Sequence, residues 1–141
     1  MTKQLWRKNW LRSINELTSL ELQKNSWANI NNDSYHRSFA DFRRRYFQEV
    51  LLGIDYQFYI KEGWLTRKEF EIIKEWHNEL ELYVPPPNSY EQDGMTILSD
   101  KEWQSIVRFG MFTKRKLMIF ISEKENKFLI DASFPGYSNR C

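Results

Sequence analysis

Catalysis near neutral pH draws on a poised base, an activated nucleophile or a metal, and few residues of this chain could supply any of them. His36 and His77 are the only histidines, lie in separate expected elements, and belong to no HExxH pattern. His77 falls at the edge of an apolar helical arc near Phe70, Ile73 and Val84, so a packed ring with a satisfied nitrogen is favoured over a catalytic base. Cys141, the single cysteine, is the last residue of the sequence and lacks the ordered, electropositive surroundings that activate a thiol. The glycines at 53, 63, 94, 110 and 136 stand apart, which argues against a phosphate-cradling loop, and no G-x-S-x-G elbow is present. The expectation is a protein with no catalytic residues, no cofactor and no metal, whose trade is binding.

Charged residues offer more. Glu71, Glu75 and Glu79 are spaced by four, which stacks three carboxylates on one strip of a helix opposite Ile73, Trp76 and Leu80. Each like-charge neighbour pair costs only about 0.2–0.5 kcal/mol, so a plain solvated face is the simpler reading, yet the strip is the best candidate for a partner-binding site. Arg43-Arg44-Arg45, flanked by Phe42, Tyr46 and Phe47, superficially resembles a nucleic-acid patch. On a helix, however, successive side chains turn by about 100°, and the three guanidinium groups fan apart. Lys114-Arg115-Lys116 forms a second basic cluster. Only a fold that placed both clusters on one surface would favour nucleic acid.

The elements that must position these residues read as mainly helical. Trp6, Trp10, Ile14 and Leu17 line one face of a helix from Lys3 to Leu17, and Thr18 with Glu21 has capping-box spacing for a short helix reaching Trp27. Residues 29–34 read as a loop. Ser38 and Asp41 open a helix that buries Phe39, Phe42, Tyr46 and Val50 and ends near Gly53; a short helix through Tyr56, Tyr59 and Ile60 follows, up to Gly63. Thr66 and Glu69 cap the clearest element, running to about Tyr83, with Phe70, Ile73, Trp76, Leu80 and Val84 in one arc. Pro85-Pro86-Pro87 stops it, and an extended loop with a turn at Asp93-Gly94 leads to Leu98. Ser99 and Glu102 then cap a helix burying Trp103, Ile106, Val107, Gly110 and Met111. Beyond Thr113 two readings compete. Leu117, Met118 and Ile121 continue the helical face with Lys114 as a misfit, whereas the run Leu117 to Ile121 could be a buried strand paired with residues 127–132 across Glu123-Lys124-Glu125-Asn126.

Composition sets the frame. A chain of 141 residues suits one domain, 1–141, able to bury roughly two-thirds of its unfolded surface. An aromatic share of 16%, much of which must be covered, argues against disorder. The net charge of +2 is too small to recruit nucleic acid or an anionic membrane by its overall field. Residues 51–100 nevertheless carry four Lys/Arg against ten Asp/Glu, between two basic flanks. The longest uninterrupted apolar run, Leu117 to Ile121, is far shorter than a membrane span, and cysteine usage fits a reducing compartment, so a cytoplasmic location is expected.

Phe39-x-x-Phe42 with Tyr46-Phe47, Gly63-Trp64-Leu65-Thr66 leading through Glu69 to Trp76-His77, and Ile97-Leu98-Ser99-Asp100 leading to Trp103 together carry a resemblance. Over about residues 39–110, half of the chain, the pattern is similar to small helical immunity proteins of bacterial polymorphic-toxin and contact-dependent-inhibition systems. Such a resemblance implies a cytosolic protein that binds and blocks one cognate toxin. Its motifs are core aromatics and helix caps, which specify a fold rather than a binding residue.

The reading is therefore an all-α domain with a Trp- and Phe-rich core, the alternative being α+β with a hairpin at about 116–132. Its expected function is that of a protein-binding, immunity-type inhibitor. A nucleic-acid-binding accessory protein using Arg43–Arg45 and Lys114–Lys116 stands second, and a small enzyme built on His77 and nearby carboxylates third.

Overall fold

Side-chain caps decide where the helices of this chain begin. The computed structural model describes residues 1–27, 38–87 and 94–131, and these contain helices and connecting turns but no strand. The expected loop at 29–34, His36, Asp93, Ala132 and Cys141 lie outside the described residues.

Helix α1 (Lys3–Leu17) starts on Thr2, whose hydroxyl accepts from Leu5 N at 3.1 Å. Helix α2 (Leu20–Trp27) starts on Ser19, whose Oγ accepts from Leu22 N at 3.2 Å. The expected cap, Thr18, is one residue early because its hydroxyl donates instead to Ile14 O at 2.8 Å, at the end of α1. In α3 (Phe39–Arg44) both arms of the Ser38/Asp41 capping box form. The chain then runs on as a π-helix, Arg45–Val50, and Leu51 N donates to Tyr46 O five residues back at 3.1 Å. It leaves through Leu52 (φ 55°) and Gly53 (φ 68°). The left-handed backbone suits Gly53 and costs roughly 1–2 kcal/mol at Leu52.

Asp55 caps α4 (Tyr56–Lys61), and Gly63 ends that turn with φ 79°. The Thr66/Glu69 capping box opens α5 (Arg67–Leu82) as expected. Val84 does not share its buried face. The backbone turns extended at Tyr83, so the helical arc stops short of Val84, which is 75% exposed. Residues of the expected extended loop form a short helix, α6 (Gly94–Leu98), with Gly94 as its first residue. Helix α7 (Lys101–Phe120) is capped by Asp100, which accepts from Glu102 N at 3.3 Å, rather than by Ser99.

The apolar run at the end of α7 is helical, so the hairpin alternative is set aside. A strand would bury residues 117, 119 and 121 together; instead Leu117 and Ile121, four apart, are buried while Ile119 is 77% exposed. The charged stretch after it opens α8 (Glu123–Ile130), capped by Ser122. The fold is all-α.

The buried residues form one aromatic-rich cluster. Trp6 stacks between Trp10 (5.6 Å between centroids) and Tyr59 (4.7 Å), while Phe39, Trp27, Tyr83 and Trp103 meet mostly edge to face. Trp103 donates its indole N–H to Gln23 Oε1 (2.9 Å), and the Gln23 amide donates to Glu16 O (3.0 Å), which clips α7 to α2 and α1.

A buried ion cluster ties the ends of the chain to its middle. Arg7 donates Nε to Glu125 Oε2 (2.7 Å), Nη1 to Glu69 Oε1 (3.0 Å) and Trp64 O (2.9 Å), and Nη2 to Glu69 Oε2 (2.7 Å) and Glu125 Oε1 (3.0 Å). Burial acts to discharge both Arg7 and Glu69, but it is outweighed by the combined hydrogen bonds and charges of Glu69 and Glu125 around Arg7, and of Arg7 with the Thr66 hydrogen bonds around Glu69, so Arg7 is raised and Glu69 lowered relative to their ordinary pKa values.

Helices α5 and α7 lie antiparallel. Tyr83 OH donates to Asp100 Oδ2 (2.6 Å) at one end, the Lys68 ammonium sits over the Phe120 ring (5.3 Å) at the other, and Trp76 meets Gly110 between them. A Cβ at Gly110 would stand 2.5 Å from Thr18 Cγ2 and 2.7 Å from Trp76 Nε1, so only glycine permits this approach. Gly110→Ala would gain about 1 kcal/mol in helix propensity and incur roughly 1–3 kcal/mol of overpacking. The expected outcome is a melting temperature lowered by several degrees. A variant more stable than wild type would contradict the close packing.

Candidate functional site

Helix α5 carries chemistry on two sides. Its core face buries Ile73, Trp76 and Leu80 completely, and this forces Glu71, Glu75 and Glu79 outward. All three are exposed, as the spacing of four requires. Glu71 accepts from Lys74 Nζ at 3.2 Å, whereas no ion pair engages Glu75 or Glu79 among the described residues. The capping box fixes the start of the helix, and the same Glu69 that completes it holds Arg7, so the strip rides on an anchored element.

Both basic clusters lose members to contacts inside the fold. Arg43 donates to Leu80 O (3.1 Å) and Glu81 O (2.8 Å), capping the last turn of α5, and lies over the Phe39 ring. Arg44 pairs with Asp41, and Arg45 reaches the buried Glu16 at 3.2 Å. Lys114, the misfit of the helical face, is half-buried and donates to Asn15 Oδ1 at 3.1 Å. Burial, aided by the Arg115 charge, pushes its ammonium down to about 8.

The other side of α5 borders a cavity of about 850 Å³ between α3, the π-helical segment and the turn before α4. Phe47, Tyr56, Phe70 and His77 supply its aromatic wall; Arg43, Asp55 and Glu81 also line it. Behind it runs a chain of polar contacts: Trp10 Nε1 to Tyr56 OH (2.8 Å), Tyr56 OH to Tyr46 OH (2.6 Å), and Tyr46 OH to His77 Nδ1 (2.9 Å). An indole nitrogen can only donate. Tyr56 therefore accepts from Trp10 and passes its own proton to Tyr46, which donates to Nδ1. The proton of neutral His77 is thereby placed on Nε2. The reverse direction would leave the Tyr56 hydroxyl hydrogen with no acceptor in a buried site. Burial lowers the His77 pKa, against the opposing pull of Glu81 and Asp55, and burial raises those of Tyr46 and Tyr56. His77 is thus a packed and satisfied ring, as expected, although it also borders open space.

Among the described residues no group of three or more His, Cys, Asp or Glu side chains is arranged to hold a metal. No family model matches the chain, and neither a curated protein nor a solved structure does. Sequence reasoning missed Arg7 and the Trp10–Tyr56–Tyr46 line, whose partners are far apart along the chain; the one available signal was the surplus of Trp and Tyr on core faces.

The direction of the hydrogen-bond chain is measurable. Nitrogen NMR of His77 should show the Nε2–H tautomer and a pKa below 6.5. Tyr46→Phe, which removes the donor that favours the neutral ring, should raise that pKa and mix the tautomers. Because the folded pKa is depressed, the His77 contribution to stability is complete above the unfolded value of about 6.5 and is lost as pH falls through the folded one. An Nδ1–H tautomer in the wild type would contradict the assignment.

Proposed function

We propose that this protein is a protein-binding module, an immunity-type inhibitor that occludes one cognate toxin domain in the cytoplasm, with Glu71, Glu75 and Glu79 as part of its docking surface. The observation that carries this reading is the anchored strip: exposed carboxylates, two of them without an ion-pair partner among the described residues, on a helix whose opposite face is completely buried. Such a surface presents fixed charge at little ordering cost, the property that raises association rates and selects partners of opposite sign. Phe112 on the neighbouring α7 is 60% exposed and offers an apolar contact beside the charge, where affinity usually resides.

The nucleic-acid reading is weaker. Phosphate binding needs several free cations on one surface, and Arg43, Arg45 and Lys114 are each engaged within the fold. No helix among the described residues is long and apolar enough to cross a membrane.

The test begins with capture of the partner from the native host. Association rates for wild type and for the Glu71→Gln, Glu75→Gln, Glu79→Gln triple variant are then measured across a salt series. The triple variant should fold normally and associate roughly tenfold more slowly at low salt, the difference shrinking as screening grows. Identical rates at every ionic strength would return the strip to a plain solvated face.

A further inference from the structure

The outer surfaces of α5 and α7 expose charges of opposite sign. On α7 a row spaced by four, Arg108, Phe112, Lys116 and Phe120, is exposed. It runs beside the acidic strip of α5 in the opposite direction, since Lys68 lies over Phe120 at one end and Tyr83 binds Asp100 at the other. Those anchors set the levels along the antiparallel pair: Glu71 is level with Lys116, Glu75 with Phe112 and Glu79 with Arg108. No ion pair joins the two rows within the chain, and neither Arg108 nor Lys116 has an acidic partner among the described residues.

We propose that this face pairs with a second copy of the same chain about a two-fold axis parallel to α5 and α7. Such an axis leaves each helix pointing the same way and exchanges left for right. The α5 of one protomer therefore lies over the α7 of its partner, antiparallel and at the same levels. Glu71 then meets Lys116 of the partner subunit, Glu79 meets Arg108 of the partner subunit, and the two copies of Phe112 are covered near the axis. The charges form complementary pairs twice over, as a two-fold interface demands. This inference goes beyond the partner-binding reading and does not depend on it. If both hold, the second copy covers the acidic strip, and a basic partner must compete for it.

Charge exchange tests the geometry. Glu71→Lys with Glu79→Lys makes one variant, and Arg108→Glu with Lys116→Glu makes another; the third carries all four changes. Sedimentation across a concentration series, with circular dichroism to check folding, reads the assembly. Wild type should dimerise, and each two-site variant alone should do so at least roughly tenfold more weakly, because like charges now face each other. An equimolar mixture of the two variants, and the four-site variant by itself, should recover dimers. A wild type that stays monomeric, two-site variants that dimerise like wild type, or a folded mixture that fails to pair would each overturn the proposal. A monomeric wild type would leave the partner-binding reading standing, since that is tested by association rates.

Discussion

One guanidinium group joins four parts of the fold. Arg7 lies on the first helix, where it is 8% exposed, and all five of its N–H donors are used, by Glu69, Glu125 and the carbonyl of Trp64. A buried charge is tolerable only when every hydrogen-bonding position is filled, because desolvation costs several kcal/mol per ion. The cluster therefore demands that α1, the turn before α5, α5 itself and α8 arrive together. Glu69 serves twice: it accepts from Thr66 N at 2.9 Å to complete the capping box and grips Arg7. The start of α5 and its docking against α1 are set by the same carboxylate. The acidic strip rides on a helix held both by that contact and by its packing against α7.

Polar atoms elsewhere in the core follow the same logic of direction and satisfaction. The Trp10 indole, a donor with no acceptor function, orders Tyr56 and Tyr46 and selects the His77 tautomer at the cavity. Gln23, fully buried, accepts from Trp103 and donates to Glu16, so an amide side chain joins three helices. Hydrophobic burial supplies the drive, and these pairings select one arrangement among the many that would bury the same aromatics.

Much of the local structure was legible because caps and periodicity are local. The Ser38/Asp41 and Thr66/Glu69 boxes form as their spacing suggests, and Trp76 and Trp103 occupy the fully buried faces assigned to them. At the other two expected boxes no box forms, and a single cap sits one residue later, Ser19 in place of Thr18 and Asp100 in place of Ser99. A five-residue apolar run is ambiguous by itself. Its helical outcome became visible only through the exposure of Ile119 beside the burial of Leu117. The π-helical segment, the short helix at Gly94–Leu98 and the Arg7 cluster left no local trace. The carboxylate partners of Arg7 lie 62 and 118 residues away, and nothing in a window of the sequence couples such positions. The candidate strip was legible as a strip, since spacing alone puts three carboxylates on one face, but its anchoring was not.

The Arg7–Glu69 contact acts as a coupled structural node rather than as two independent favourable residues. The direct measurement is a double-mutant cycle in urea with Arg7→Met, Glu69→Gln and the pair together; the glutamine keeps an oxygen for Thr66 N while removing the charge. Arg7→Met should lose about 3–5 kcal/mol, because it strands a buried carboxylate. The double variant should lose less than the sum of the singles by at least about 1 kcal/mol. Losses that simply add would instead mean that Arg7 and Glu69 contribute separately and that α5 is held in place by packing alone.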